Sequence, residues 1–369
     1  MRSNPLSPIL TIALVPGLLG TGGLGGAVVH ALASSPAAEV LQPSGVDRGA
    51  LEELLAERQV IPTGATRRFE LSVEKTAWEL LPGVETDAVT FNGAVPGPTI
   101  RVTEGDTVEV AVRNTLDEPT SIHWHGLHVP NDQDGVAGVT QDPIAPGETY
   151  TYRFVAPHAG TFMYHAHGPD SREQIDAGLY APFIIDPQGP DPVAADAEYL
   201  LSIGNWMVGG EKSGMGSMSM EYNYFTINGK AFPATEAIDV EEGDLVRLRF
   251  LNPSQTIHPM HLHGTDMALF AKDGEALPTV QRLNTLTINP GETYDVVFRA
   301  DNPGTWVLHC HDLHHASNDG REPGGLIVMV NVRAARGNGA PDAGDSTAPS
   351  QAAEPTMAPA MGDMPGMDH

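Results

Sequence analysis

The sequence predicts an all-β protein made of two tandem Greek-key β-sandwich domains, and three observations carry that expectation. Glycine and proline are abundant (40 and 31 of 369 residues), aromatic residues are few, and no long stretch shows helical periodicity. Short runs alternate apolar and polar residues with period two, as in Thr107-Val108-Glu109-Val110-Ala111-Val112 and Leu245-Val246-Arg247-Leu248-Arg249-Phe250, and glycine-bearing turns separate them. The chain also runs twice through one pattern. Phe91-Asn92-Gly93 and then Glu104-Gly105-Asp106 are answered by Ile227-Asn228-Gly229 and then Glu242-Gly243-Asp244; Pro146-Gly147-Glu148-Thr149-Tyr150 is answered by Pro290-Gly291-Glu292-Thr293-Tyr294. The repeat puts one sandwich at 62–188 and the other at 196–333.

The elements follow in order. After Arg2 no charged residue occurs before Glu39, and Pro8 to Ala38 is apolar and small. Residues 1–39 therefore read as a signal peptide or an N-terminal membrane anchor, and either implies an exported protein: secreted, periplasmic or on the outer face of a membrane. Residues 40–61 form an N-terminal extension with a short helix expected at 48–58. The two sandwiches come next. Residues 334–369 are rich in Ala, Pro, Gly, Ser and Asp, a composition that predicts disorder. That tail carries Met357, Met361, Met364, Met367 and His369, and a second group, Met207, Met215, Met218 and Met220, precedes the repeated part of the second domain. Thioethers are soft donors suited to Cu(I), and equally plain filler of a flexible segment. The net charge of −27 argues against nucleic acid as a partner and suits a soluble, self-repelling surface.

Four His-x-His pairs stand out: His123-Trp124-His125, His165-Ala166-His167, His261-Leu262-His263 and His309-Cys310-His311. In a strand, residues i and i+2 share a face, so each pair aims two imidazoles at one place. Eight imidazoles at about three per ion hold about three metal ions. Cys310, the single cysteine, points to the opposite face from His309 and His311. His258 lies three residues before His261 and so faces the side that Cys310 faces. His315 follows Cys310 by five residues, with His314 beside it as the competing ligand. Two His and one Cys suit a blue-copper centre.

The first half lacks that set. Its corresponding residues are Thr120, Ala166 and Ser171, while both of its His pairs are kept. One mononuclear site, in the second domain, is the expectation. Gly178-Leu179 aligns with Gly325-Leu326, which makes Leu326 the candidate axial residue; Met329 lies three residues on. A leucine there withholds a soft donor and raises the potential.

These motifs resemble those of the multicopper oxidases, in particular the two-domain, laccase-like members that keep type 1 copper in the second domain only. The matching residues are His-Trp-His-Gly at 123–126, His165-Ala166-His167, His258-Pro259-Met260-His261-Leu262-His263-Gly264, and His309-Cys310-His311 with His315. The resemblance implies cupredoxin-like domains and copper, four ions per chain equivalent. It places type 1 copper on His258, Cys310 and His315, in preference to His314. Type 2 copper falls to His123 and His261, and the type 3 pair to His125, His165, His167, His263, His309 and His311. It also makes Asp134 an acid near the cluster that helps deliver protons, Cys310 with His309 and His311 the electron path, and the assembly a homotrimer with clusters between chains. The implied reaction couples one-electron oxidation of a small reducing substrate, a phenol or aromatic amine, to reduction of O2 to water. A metallo-oxidase acting on Cu(I), Fe(II) or Mn(II) is the alternative, and a non-enzymatic copper-binding or tolerance protein is a second.

Overall fold

A computed structural model describes residues 59–209 and 222–335, together with Gly49, Glu52, Leu55 and Ala56. The signal or anchor segment 1–39, Met215, Met218, Met220 and the methionines of the 334–369 tail lie outside the described residues. In the 48–58 segment, Gly49 and Glu52 are helical. Met1–Glu57 is one unit; Arg58–His369 is another and contains every strand described below. Among the described residues no helix is long and apolar enough to cross a membrane.

The all-β expectation holds. The first half contains β1 (Thr66–Leu81), β2 (Val84–Phe91), β3 (Ile100–Thr103), β4 (Thr107–Asn114), β5 (Ile122–His125), β6 (Thr149–Val155), β7 (Gly160–Ala166), the short helix α1 (Ser171–Asp176) and β8 (Tyr180–Asp186). Its strands form two four-stranded sheets, ordered β2-β1-β4-β6 and β3-β8-β7-β5. The second half contains β9 (Ala197–Trp206), β10 (Tyr224–Ile227), β11 (Ile238–Glu241), β12 (Leu245–Leu251), β13 (His258–Leu262), β14 (Met267–Lys272), β15 (Glu275–Leu283), β16 (Thr285–Ile288), β17 (Thr293–Arg299), β18 (Gly304–Cys310) and β19 (Ile327–Arg333). These make a six-stranded sheet, β10-β9-β12-β17-β14-β15, and a five-stranded sheet, β11-β19-β18-β13-β16. Each sandwich has its own apolar core, one around Trp124, Phe154 and Phe183 and the other around Phe225, Phe250 and Phe298.

The internal repeat extends to single hydrogen bonds. Asn92 and Gly93 adopt φ of 54° and 73°, and Asn228 and Gly229 adopt 51° and 73°, the left-handed pair that Asn-Gly tolerates best. In both, the asparagine side chain clamps the preceding long strand. Asn92 Oδ1 accepts from the Ser72 amide at 2.6 Å, and Asn228 Oδ1 accepts from Ser202 at 2.9 Å. Asp106 and Asp244 likewise accept from the backbone three residues earlier, at Thr103 and Glu241.

The two sandwiches are joined by a small core of Leu80, Ala88, Val95, Tyr180 and Trp206, and by a buried polar network. The alternation of β12 puts Arg247 and Arg249 on one face, and that face is covered by protein: both arginines are buried. Arg249 meets Glu198 at 2.8 Å and Asp295 at 3.4 Å. Thr161 of β7 donates to Asp295 at 2.7 Å and accepts from Arg249 at 2.6 Å, while Thr293 donates to the Thr161 carbonyl. Buried charges persist because each finds a charged or hydrogen-bonding partner. The network ties β7, four residues before His165, to the second sandwich.

Candidate copper sites

The strand that holds Cys310 builds one site on each of its faces. On β13 and β18, Met260 pairs with Cys310 and His261 with His309. On β5 and β7 the same register pairs Ile122 with Ala166 and His123 with His165. Ala166 thus occupies the place of Cys310. The match continues at the next strand, where Ala166 donates to the Leu179 carbonyl and Cys310 to that of Leu326.

The inner face gathers His258, Cys310 and His315, all buried, with ligand atoms within 4.8 Å of one another. Cys310 Sγ lies 3.9 Å from His258 Nδ1 and 3.6 Å from His315 Nδ1. His258 Nε2 is engaged by Ser254 Oγ at 3.1 Å and Thr256 Oγ1 at 3.0 Å, so its Nδ1 turns to the sulfur. The ring of Phe225 covers His315, with centroids 4.2 Å apart. His314, exposed, turns away and donates through Nε2 to the Tyr222 carbonyl at 3.1 Å. Leu326 is fully buried beside the cysteine backbone, whereas Met329 pairs with Val307 and so falls on the other face of the sheet.

Burial decides the charge states here. It pushes the Cys310 thiol up to about 12 and His258 down to about 3, the latter helped by His315. A neutral thiol and two neutral imidazoles therefore wait for a cation that can displace the thiol proton. A soft thiolate with two imidazole nitrogens in an apolar shell fits copper.

The corresponding pocket of the first sandwich is closed by a different pair. Thr120 donates to Gln174 Oε1 at 2.8 Å, and both side chains are buried. With Ala166 there is no sulfur, so nothing in that pocket suits copper.

The outer faces carry two histidine quartets. In the first, His123, His125 and His165 bring ligand atoms within 4.8 Å, and the His167 ring lies 5.3 Å from that of His123. In the second, His263 Nε2 and His309 Nε2 are 3.1 Å apart, with His261 and His311 in ring contact around them. Among the described residues these ring contacts join members of one quartet and never bridge to the other.

Backbone carbonyls fix the tautomers. His165 Nδ1 donates to the Ala166 carbonyl and His309 Nδ1 to that of Cys310, each at 2.9 Å. His123 Nδ1 donates to the Asp134 carbonyl and His261 Nδ1 to that of Asn284, each at 2.8 Å. A carbonyl can only accept, so Nε2 of all four keeps its lone pair for a metal. Burial, reinforced by neighbouring imidazoles, lowers His165 to about 3 and His125 to about 4, which keeps both neutral. Asp134 follows a 3-10 turn, and its carboxylate Oδ1 lies 3.4 Å from His123 Nδ1.

Ser254, Thr256, Asn284 and Phe225, which orient or cover the candidate ligands, carry no sequence signal. Each is an ordinary turn or core residue that becomes part of the site only when strands pair. Of the other histidines, His158 is buried 3.3 Å from Glu275, and His128 is exposed with its ring against that of His158.

Comparison with known proteins agrees with this geometry. A family model described as multicopper oxidase matches residues 72–190, and a second of the same description matches 211–320. The copper resistance protein A homolog of Pseudomonas syringae pv. tomato is 30% identical over 295 residues, covering 66% of this chain and 49% of that protein. Laccase-3 of Thanatephorus cucumeris is 35% identical over 271 residues, covering 66% and 47%. The chain spans about half the length of these curated relatives. The blue copper oxidase of Nitrosomonas europaea, a solved structure, is 36% identical, covers 72% of this chain and 86% of its own, and superposes with a TM-score of 0.67. Two matched family models, a shared fold over most of a solved relative and paired histidine and cysteine donors agree: this chain belongs to the multicopper oxidase family.

Proposed function

We propose that the protein is an exported oxidase that couples one-electron oxidation of a small reductant to four-electron reduction of O2 to water. The observation that carries this reading is the buried His258–Cys310–His315 set, whose Cys310 ends β18 between His309 and His311 of a histidine quartet. Copper at these donors supplies the one-electron steps and the site of O2 reduction. His258, Cys310 and His315 would hold the type 1 ion, with Leu326 buried beside them. His123 and His261 would hold type 2, and His125, His165, His167, His263, His309 and His311 the type 3 pair. Cys310 would link the two sites through its own backbone to His309 and His311. Asp134 holds a proton beside His123 and passes it toward the cluster.

Among the described residues the two quartets make no ring contact with one another, which supports their completion by other copies. Quartet one of each chain then faces quartet two of the next, and head-to-tail contacts of this kind close into a ring when the rotation permits; the proposed assembly is a homotrimer. The domains assigned are 62–188, without type 1 copper, and 196–333, with it.

Phenols or aromatic amines are the proposed reductants, in line with the laccase similarity. The similarity to a copper resistance protein, together with the methionine groups, favours Cu(I) as the second reading. The test is oxygen uptake by the copper-loaded protein against a panel of phenols, aromatic amines, Cu(I), Fe(II) and Mn(II), with peroxide assayed in parallel. We expect four electrons consumed per O2 and no peroxide released. A copper-loaded protein that consumes no oxygen with any of them is a copper carrier, and the oxidase reading then fails.

A further inference from the structure

Trp124 stands between two members of the first quartet, His123 and His125, and strand alternation turns it to the opposite face. It is fully buried, and its indole Nε1 has no hydrogen-bond partner among the described residues. Its ring meets that of Tyr152 edge-on, with centroids 5.2 Å apart. Tyr152 is also buried and accepts a hydrogen bond from the Ile122 amide. The ring of Tyr150 lies 4.7 Å from that of Tyr152. Tyr150 is half-buried, donates its hydroxyl to the Asp132 carbonyl at 3.2 Å, and lines a cavity of about 330 Å³ open to solvent. Three oxidisable rings thus run without a gap from the backbone of two cluster ligands to the surface. The other ring contacts of Trp124 lead to Phe154, Phe183 and Tyr164, and onward to Phe91, all of them inside the core.

The internal repeat supplies the control. Trp124 corresponds to Leu262, and Tyr152 to Val296, with only Tyr150 answered by an aromatic residue, Tyr294. Among the described residues the second sandwich, which contains Cys310, has no such chain of rings; the first lacks the cysteine and has one. A core needs bulk at these positions, and Leu262 and Val296 show that this fold fills them without aromatic side chains.

We propose that Trp124, Tyr152 and Tyr150 form a relay through which an oxidising equivalent leaves the cluster for the surface when Cys310 delivers too few electrons. This rests on the oxygen-reducing function proposed above. The oxidant is dioxygen that has received fewer than four electrons at the cluster. Trp124 gives up one electron and regains it from Tyr152, which regains it from Tyr150. The net step takes one electron and the phenolic proton from Tyr150, leaving a neutral phenoxyl radical. The electron goes to the dioxygen-derived oxidant, and the phenolic proton goes to solvent in the cavity. A small reductant in the cavity, such as a phenol, then returns one hydrogen atom to Tyr150.

The experiment uses the copper-loaded Cys310→Ser variant, in which the normal electron source is removed. It is reduced, mixed with O2, frozen and examined by electron paramagnetic resonance, with and without ring-deuterated tyrosine. We expect an organic radical whose spectrum narrows with the label and is lost when Tyr150→Phe and Tyr152→Phe are added together, at unchanged copper content. In an otherwise wild-type background the same pair of substitutions lowers the number of turnovers before inactivation when reductant is scarce. A Cys310→Ser protein that reacts with O2 but shows no tyrosyl radical overturns the relay, as does a radical of undiminished intensity in the doubly substituted variant. Wild-type protein that consumes no oxygen with any reductant overturns the oxidase reading and the relay together.

Discussion

A single side chain separates the two halves of this molecule. Cys310 and Ala166 occupy the same register, donate to equivalent leucine carbonyls and sit beside equivalent histidines, yet only one side has a sulfur. That difference was legible in the sequence, because the i, i+2 rule assigns faces and the repeat assigns counterparts. What holds each imbidazole in its tautomer was not legible: carbonyls such as those of Asp134 and Asn284 are supplied by loops, without regard to side-chain type. Asp176 is another residue whose environment no motif announces. It accepts from the Tyr222 hydroxyl at 2.8 Å, its other oxygen has no hydrogen-bond partner among the described residues, and burial pushes its carboxyl up to about 6. Between about pH 4 and 6 the folded protein then keeps a proton that the unfolded chain has released, so stability falls as pH rises through that window and levels off above it. Asp176→Asn removes this dependence. Relative to wild type, the variant should gain on the order of 2 kcal/mol above pH 6 and nothing near pH 4, as read from urea denaturation across that range.

At the scale of elements, the strands and their turns were the readable part. Asn-Gly pairs demanded left-handed turns, and the alternating runs became strands. The alternation of β12 concealed one thing. Arg247 and Arg249 mark a polar face, but that face is buried between the sandwiches and not open to solvent, because Asp295, Glu198 and Thr161 arrive from other strands to pair with them. Only long-range pairing reveals this, and single-strand patterns cannot. Removing Arg249 leaves the Asp295 carboxylate buried with its closest cationic partner gone. Arg249→Met should cost about 3–5 kcal/mol of folding stability in urea titration, and adding Asp295→Leu should recover most of it. A loss of less than about 1 kcal/mol would show that the network does not hold β7 in place.

At the scale of the whole molecule, the two histidine quartets make no ring contact with one another among the described residues, so the proposed cluster calls for more than one copy. The even division of His pairs between the halves asks only that a first domain face some second domain; that it is the next chain's is implied by the family resemblance, and strand pattern alone cannot say which surfaces meet. Light scattering of the copper-loaded protein should give the mass of three chains. Dilution or substitution that yields single chains should release the cluster copper while the copper bound to Cys310 stays. A monomer that keeps its full copper complement would refute assembly through the quartets.

The most direct test of one cysteine-bound electron entrance serving a histidine-bound cluster is the copper content and visible spectrum of wild type beside Cys310→Ser. Wild type should bind about four copper ions per chain and show the intense blue thiolate-to-copper band. Cys310→Ser should lose that band and sustained turnover of external reductants, the single equivalents that leave through Tyr150 aside, while keeping about three. A blue band that survives the substitution, or loss of every copper ion with it, would contradict the account.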